Sequence, residues 1–156
     1  MQPVSAERRL QALGIVLPNA PHPLGAYVEA VQSGSLLFLS GVLPVKDGKP
    51  QYIGRLGKEL DVDAGRDALQ TATLNALSAA KQHLGSLDRV SKVVRVGVYL
   101  ATYGDFYNQP IVADAASELL RDVFGEGKTS VRSVIGVASL PLGMPVELEV
   151  TFEVND

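Results

Sequence analysis

The sequence predicts an α+β domain, a mostly antiparallel sheet with two helices packed on one face. Three observations predict it. Residues 146–154 alternate strictly: Val146, Leu148, Val150, Phe152 and Val154 fall on one side, and Glu147, Glu149, Thr151 and Glu153 on the other. That is the period of a strand with one buried face. Residues 62–84 instead line up Leu69, Ala72, Ala76, Leu77, Ala80 and Leu84 along one stripe at helical spacing. The order of elements is strand pairs at both ends with helix, strand, helix between them, unlike the regular alternation of a doubly wound fold.

Taken in order, Ser5 to Leu13 reads as a short helix, with Ser5 as N-cap and Gly14 just past its end. Pro18, Pro21 and Pro23 follow in an extended lead-in, since proline and its predecessor avoid helix. Residues 1–21 therefore read as an appended, non-core extension, and 22–156 as the domain. Tyr27 to Val31 and Leu36 to Leu39 read as a hairpin turning at Gln32–Ser35, the second strand ending at Ser40-Gly41. Val42 to Val45 continues extended into a loop at Lys46–Pro50. The long helix starts at Asp61 or Asp63 and stops at Gly85.

Val90 to Ala101 has strand character on both faces. Val90, Val94, Val96, Val98 and Leu100 share one parity, and Val93 and Tyr99 the other, as in a central strand. Pro110 suits the first turn of a helix carrying Val112, Ala116, Leu119, Leu120 and Val123, closed by Gly125 and Gly127. Val131 to Ala138 is β-rich, and Leu140–Gly143 turns toward the final strand. Two helices cover one face only, so Val93 and Tyr99 are left on an open face. Burial of that face in a closed symmetric ring of copies is the expected remedy.

Composition narrows the function classes. The chain has 156 residues, no Cys, two His and a net charge of −3. It therefore has no disulfide, thiolate nucleophile or Cys-type metal site, and too few His for a His-rich metal cage. The acidic balance argues against nucleic-acid binding through a broad basic field, and the few aromatics, with no Trp, against a base-stacking platform. No apolar run is long enough to span a bilayer, and the N-terminal residues lack the apolar stretch of a secretory leader, so a cytoplasmic location is expected. His22 and His83 read as solvated.

One pair carries geometric content. If the last two strands form a hairpin, Arg132 and Glu147 lie opposite each other about a turn near Ser139-Leu140. An ordinary surface ion pair is the plain alternative. However, Arg132 is the only charge between Thr129 and Leu140. A guanidinium in so apolar a segment suits bidentate capture of a carboxylate. Tyr27 reads as an edge aromatic or a pocket wall, Ser40-Gly41 as a strand end, and Asp114, Glu118, Arg121 and Asp122 as a solvated helix face.

Four stretches together resemble the RidA/YjgF family, also labelled endoribonuclease L-PSP, over about residues 22–154. They are Leu24-Gly25-Ala26-Tyr27-Val28, Leu37 to Pro44 with its Ser40-Gly41, Asp88-Arg89-Val90 through Leu100 with Asp105-Phe106, and Val131-Arg132-Ser133-Val134 through Leu140-Pro141 with Val146-Glu147-Leu148-Glu149. Ala26 and Val42 stand where the family has Pro and Gln, and Val134 where its founding subgroup has Cys. The 105–125 segment is longer, with Asn108-Gln109-Pro110 before the helix, as in a side branch.

The resemblance implies a chorismate-mutase-like fold, a homotrimer with sites between subunits, and no cofactor or metal. It implies hydrolytic deamination of small reactive 2-imino acids to 2-oxo acids and ammonia. By position, Arg132 would grip the substrate carboxylate and Glu147 would activate water. Tyr27, Ser40, the backbone near Val134 and, through the longer loop, Asn108 would line the pocket. A non-catalytic trimeric sensor of small 2-oxo or amino acids is the alternative, separated from the enzyme by Glu147, which a binder does not need. A ribonuclease fits the acidic balance poorly.

Overall fold

The computed structural model describes residues 3–156, in the order α1 (Ala6–Ala12), β1 (Ala30–Ser33), β2 (Leu36–Leu39), β3 (Val45–Lys46), β4 (Lys49–Pro50), α2 (Val62–Leu84), β5 (Val90–Ala101), α3 (Gln109–Phe124), β6 (Val131–Val137) and β7 (Val146–Val154). Five strands form one sheet in the order β1-β2-β7-β5-β6, and β3 and β4 form a separate two-stranded ribbon. All neighbours in the large sheet are antiparallel except β5 and β6.

The core lies between one face of this sheet and the helices. Val146, Leu148, Val150, Phe152 and Val154 all point into it, as the alternation predicts. Each such side chain contributes roughly 1.5–3 kcal/mol through removal from water. Helix α2 supplies the opposing stripe from Leu69, Ala72, Ala76, Leu77 and Ala80, all fully buried. Asp61 caps its start by accepting from the Ala64 N–H at 2.8 Å, and Gly85 ends it at φ 84°. Gly65 sets the approach of α2 to its neighbours: a Cβ there would lie 2.9 Å from Leu56 Cδ2 and 3.2 Å from Val112 Cγ1. Polar groups on the helix then fix the loops around it. Asn75 donates to the carbonyls of Leu43 (3.1 Å) and Val45 (2.8 Å), and Ser78 to that of Pro18 (2.7 Å).

Four expectations are corrected. First, β6 and β7 do not form a hairpin. Strand β5 lies between them, pairing parallel with β6 and antiparallel with β7. Helix α3 supplies the crossover that a parallel pair requires, and residues 138–145 form a connection long enough to step over one strand. Second, the parity of β5 changes. Irregularities between Val90 and Lys92 and between Val93 and Arg95 turn Val93 into the core, where it is buried. The open face therefore carries Tyr99 without Val93. Third, α1 is not an appendage. Ala6 and Leu10 belong to the buried core, Glu7 accepts from the Leu87 N–H and pairs with Lys81, and Asp88 accepts from the Glu7 N–H. Residues 1 and 2 of that predicted extension lie outside the described residues. Fourth, Tyr27 precedes the first strand, which starts at Ala30.

Candidate functional site

Arg132 and Glu147 belong to different neighbourhoods of one protomer. Arg132 is opposite Val96, which is fully buried under the helices, so its side chain points to the helix face. Its Nη1 donates to Asp114 Oδ1 at 2.7 Å and to Ser117 Oγ at 3.1 Å, both on α3. Glu147 is opposite Tyr99, on the open face. Glu147 is level with Ile135 through Tyr99, three residues along and two strands across from Arg132. The standard spacings of a sheet make that separation about 14 Å, with the two side chains on opposite faces. The predicted cross-strand pair is therefore overturned. The guanidinium does have a carboxylate partner, but it is Asp114, which the sequence placed on a solvated face.

The Arg132 side chain is 26% exposed. It borders a cavity of about 250 Å³ between α3 and the start of β6, which Asp114, Ser117, Arg121 and Lys128 also line. Val134 lies two residues farther along the same face, partly buried against the core.

Glu147 sits half-buried at the other neighbourhood. The Val42–Leu148 bridge brings Gly41 beside it, so closely that a Cβ on Gly41 would lie 2.2 Å from Glu147 Oε1. Among the described residues Glu147 has no ion-pair partner. Burial, reinforced by the negative charge of Glu149, pushes its carboxyl above the usual glutamate range. A carboxylate raised in this way is a better proton acceptor near neutral pH than an exposed glutamate.

Gly41 and Tyr27 both line a second, larger cavity of about 800 Å³, roofed by the proline-rich lead-in around Leu17 and His22. The Tyr27 hydroxyl accepts from the Leu24 N–H at 3.0 Å, which fixes the ring at the cavity edge. Ser40 donates its hydroxyl to the Val28 carbonyl at 2.5 Å, so it holds the entry to β1 and is committed to the backbone. Asn108 stands before α3, exposed, with no side-chain capping bond, and borders neither cavity. His83 is exposed and contacts Gln32. Among the described residues no cluster of three or more His, Asp or Glu side chains could hold a metal ion. Among the same residues no helix is long and apolar enough to cross a membrane.

Sequence reasoning named Arg132 and Glu147 but missed their partners. Gly41 appeared only as the end of a strand, Asp114 only as helix surface, and Ser117 not at all. The i, i+3 spacing of Asp114 and Ser117 was the available signal, because it puts both on one side of α3.

The chain matches the model of the family described as "YjgF/chorismate mutase-like, putative endoribonuclease" over residues 7–150. Protein TCP17 from Trypanosoma cruzi is 41% identical over 149 residues, which cover 94% of this chain and 92% of that protein. A protein from Dermatophagoides farinae named 2-iminobutanoate/2-iminopropanoate deaminase is 32% identical over 137 residues, covering 86% of this chain and 91% of its own length. Among solved structures, one titled "putative endoribonuclease" from Shewanella oneidensis MR-1 superposes with a TM-score of 0.92 at 33% identity, covering 97% of this chain and 100% of that one.

Proposed function

We infer that this chain, which belongs to the YjgF/chorismate mutase-like family, hydrolyses small 2-imino acids to 2-oxo acids and ammonia. The observation that carries the inference is Glu147, a half-buried carboxylate seated against Gly41 with no ion-pair partner among the described residues. A module that only binds acids has no use for a carboxylate maintained at that electrostatic cost. The deaminase name of the Dermatophagoides farinae relative supports the same reaction class.

Arg132 binds the substrate carboxylate through donors that Asp114 and Ser117 leave free, and so orients C2. Glu147 takes a proton from water as the water oxygen bonds to C2. It returns that proton to nitrogen, which takes up the electron pair of the C=N π bond, so that a tetrahedral amino alcohol forms. The hydroxyl proton then passes through Glu147 to nitrogen as the C=O bond forms and the C–N bond breaks, releasing ammonia and leaving the 2-oxo acid. An imine carbon is already electrophilic, so one carboxylate and one water suffice.

Because a single protomer holds Arg132 and Glu147 on opposite faces, the complete site needs two copies: Arg132 from one and Glu147, Gly41 and Tyr27 from the next. A closed homotrimer in which the β6 edge of one copy, with its Arg132, meets the open sheet face of the next repeats that junction three times and covers Phe38 (44% exposed), Ile135 (45%) and Val131 (69%). The test is to generate 2-iminobutanoate with an amino-acid oxidase and follow its capture by semicarbazide. The wild-type chain is expected to suppress capture, and Arg132→Ala to match a control without protein. A wild-type trace equal to that control would remove the enzymatic function.

A further inference from the structure

We propose that the substrate anchored by Arg132 carries a second acid group, received by Arg121 and Lys128 in the same cavity. This rests on the role given to Arg132 above and extends it to a substrate class, the imines of dicarboxylic amino acids.

The cavity that Arg132 borders is lined by three cations and one carboxylate, Asp114, a local excess of two positive charges in a chain whose net charge is −3. Asp114 is committed to Arg132 Nη1. Arg121 and Lys128 are weakly engaged by the protein. The nearest carboxylate to Arg121 Nη2 is that of its neighbour Asp122 at 3.5 Å, and Lys128 Nζ donates to the Val90 carbonyl at 3.3 Å. Ser117 and Thr129 add hydroxyl donors to the same walls. A volume of about 250 Å³ lies just below the ~300–1,000 Å³ typical of drug-sized ligands, so the cavity suits a compact one. A short diacid fits this inventory, with one carboxylate on Arg132 and the other between Arg121 and Lys128. A monoacid such as 2-iminobutanoate leaves two cations unanswered.

Calorimetric titration of the wild-type chain with 2-oxoglutarate and with 2-oxobutanoate tests this, using the stable product of each imine class as the probe. We expect 2-oxoglutarate to bind with a Kd about tenfold lower, the order of effect of one additional partly shielded ion pair. In Arg121→Gln/Lys128→Gln, which keeps side-chain length, that advantage is expected to fall below about twofold. The single substitution Lys128→Glu, with opposite charge, is expected to reverse it. Equal wild-type affinities, an advantage that survives the double substitution, or no binding of either acid would each overturn the proposal. The imine assay keeps its outcome separate from that of the function. A chain that hydrolyses 2-iminobutanoate without preferring the diacid loses only the diacid class. One that binds the diacid through Arg121 and Lys128 without turnover loses only the chemistry.

Discussion

Arg132 and Glu147 are housed in opposite ways. The guanidinium stands on an edge strand, paired at 2.7 Å with Asp114 and steadied by Ser117, in a cavity rich in cations. The carboxylate stands on an inner strand, with no cation partner among the described residues and with Glu149 nearby on the same face. One end is preorganised at little cost, because its charge is answered before any ligand arrives. The other holds a charge that its surroundings disfavour. The fold does not need Glu147 ionised, whereas the proposed proton transfer does, and in the proposed site each end is completed by the other from a second copy.

The most severe test of this division separates the two residues onto different chains. Arg132→Ala and Glu147→Gln are each expected to be inactive alone. Co-expressed as mixed oligomers in equal amounts, they are expected to recover about a quarter of wild-type activity per site. Each shared site then has an even chance of an intact Arg132 and an even chance of an intact Glu147. No recovery in oligomers shown to be mixed would place both residues of a working site in the same chain and break the comparison.

A smaller effect is expected at Gly41. The new methyl group of Gly41→Ala would meet Glu147 Oε1 at 2.2 Å, and the movable partner is the end of a side chain rather than backbone. The carboxylate should swing away while the fold stays intact. We expect kcat to fall about tenfold, since even small displacements of a catalytic group are costly. KM should change little and the thermal midpoint by less than about 3 °C. A loss confined to KM would show that Gly41 shapes binding rather than seating the proton acceptor.

Some of this was legible in the sequence and some was not, for identifiable reasons. Strand β7 and helix α2 could be read almost to the residue, because each repeats one period over nine and 23 positions with clear boundary residues. The position of β6 could not. Seven β-prone residues, a turn and a final strand look like a hairpin, and Arg132 and Glu147 satisfied a plausible register. The overlooked signal was the helix between β5 and β6: a strand, a crossover helix and a strand place the two strands parallel, leaving β7 to pair on the far side of β5. Val93 escaped for a local reason, since a bulge reverses parity without a mark in composition. The partners of Arg132 escaped because Asp114 and Ser117 look like ordinary helix surface until β6 is laid beside α3.

The smallest predicted effect is thermodynamic, and it probes the Glu147 end alone. In the unfolded chain this side chain titrates near the ordinary value of 4.5, and in the fold it titrates higher because burial, with help from Glu149, disfavours the charged form. The folded state therefore holds the proton more tightly. Stability falls as pH rises from 4.5 through the folded pKa and stays reduced above it. Glutamine has nearly the same shape and no charge to bury, so Glu147→Gln should raise the thermal midpoint at pH 7 by about 1–3 °C. The gain should vanish below pH 4.5, where the wild-type group is also neutral in both states. Differential scanning calorimetry at both pH values checks the sign. A midpoint lowered at pH 7 would mean that the carboxylate makes favourable contacts in the fold, and its unpaired setting would no longer argue for chemistry. A chain that gains stability and loses turnover through the same substitution would instead locate the cost of that charge in the reaction it serves.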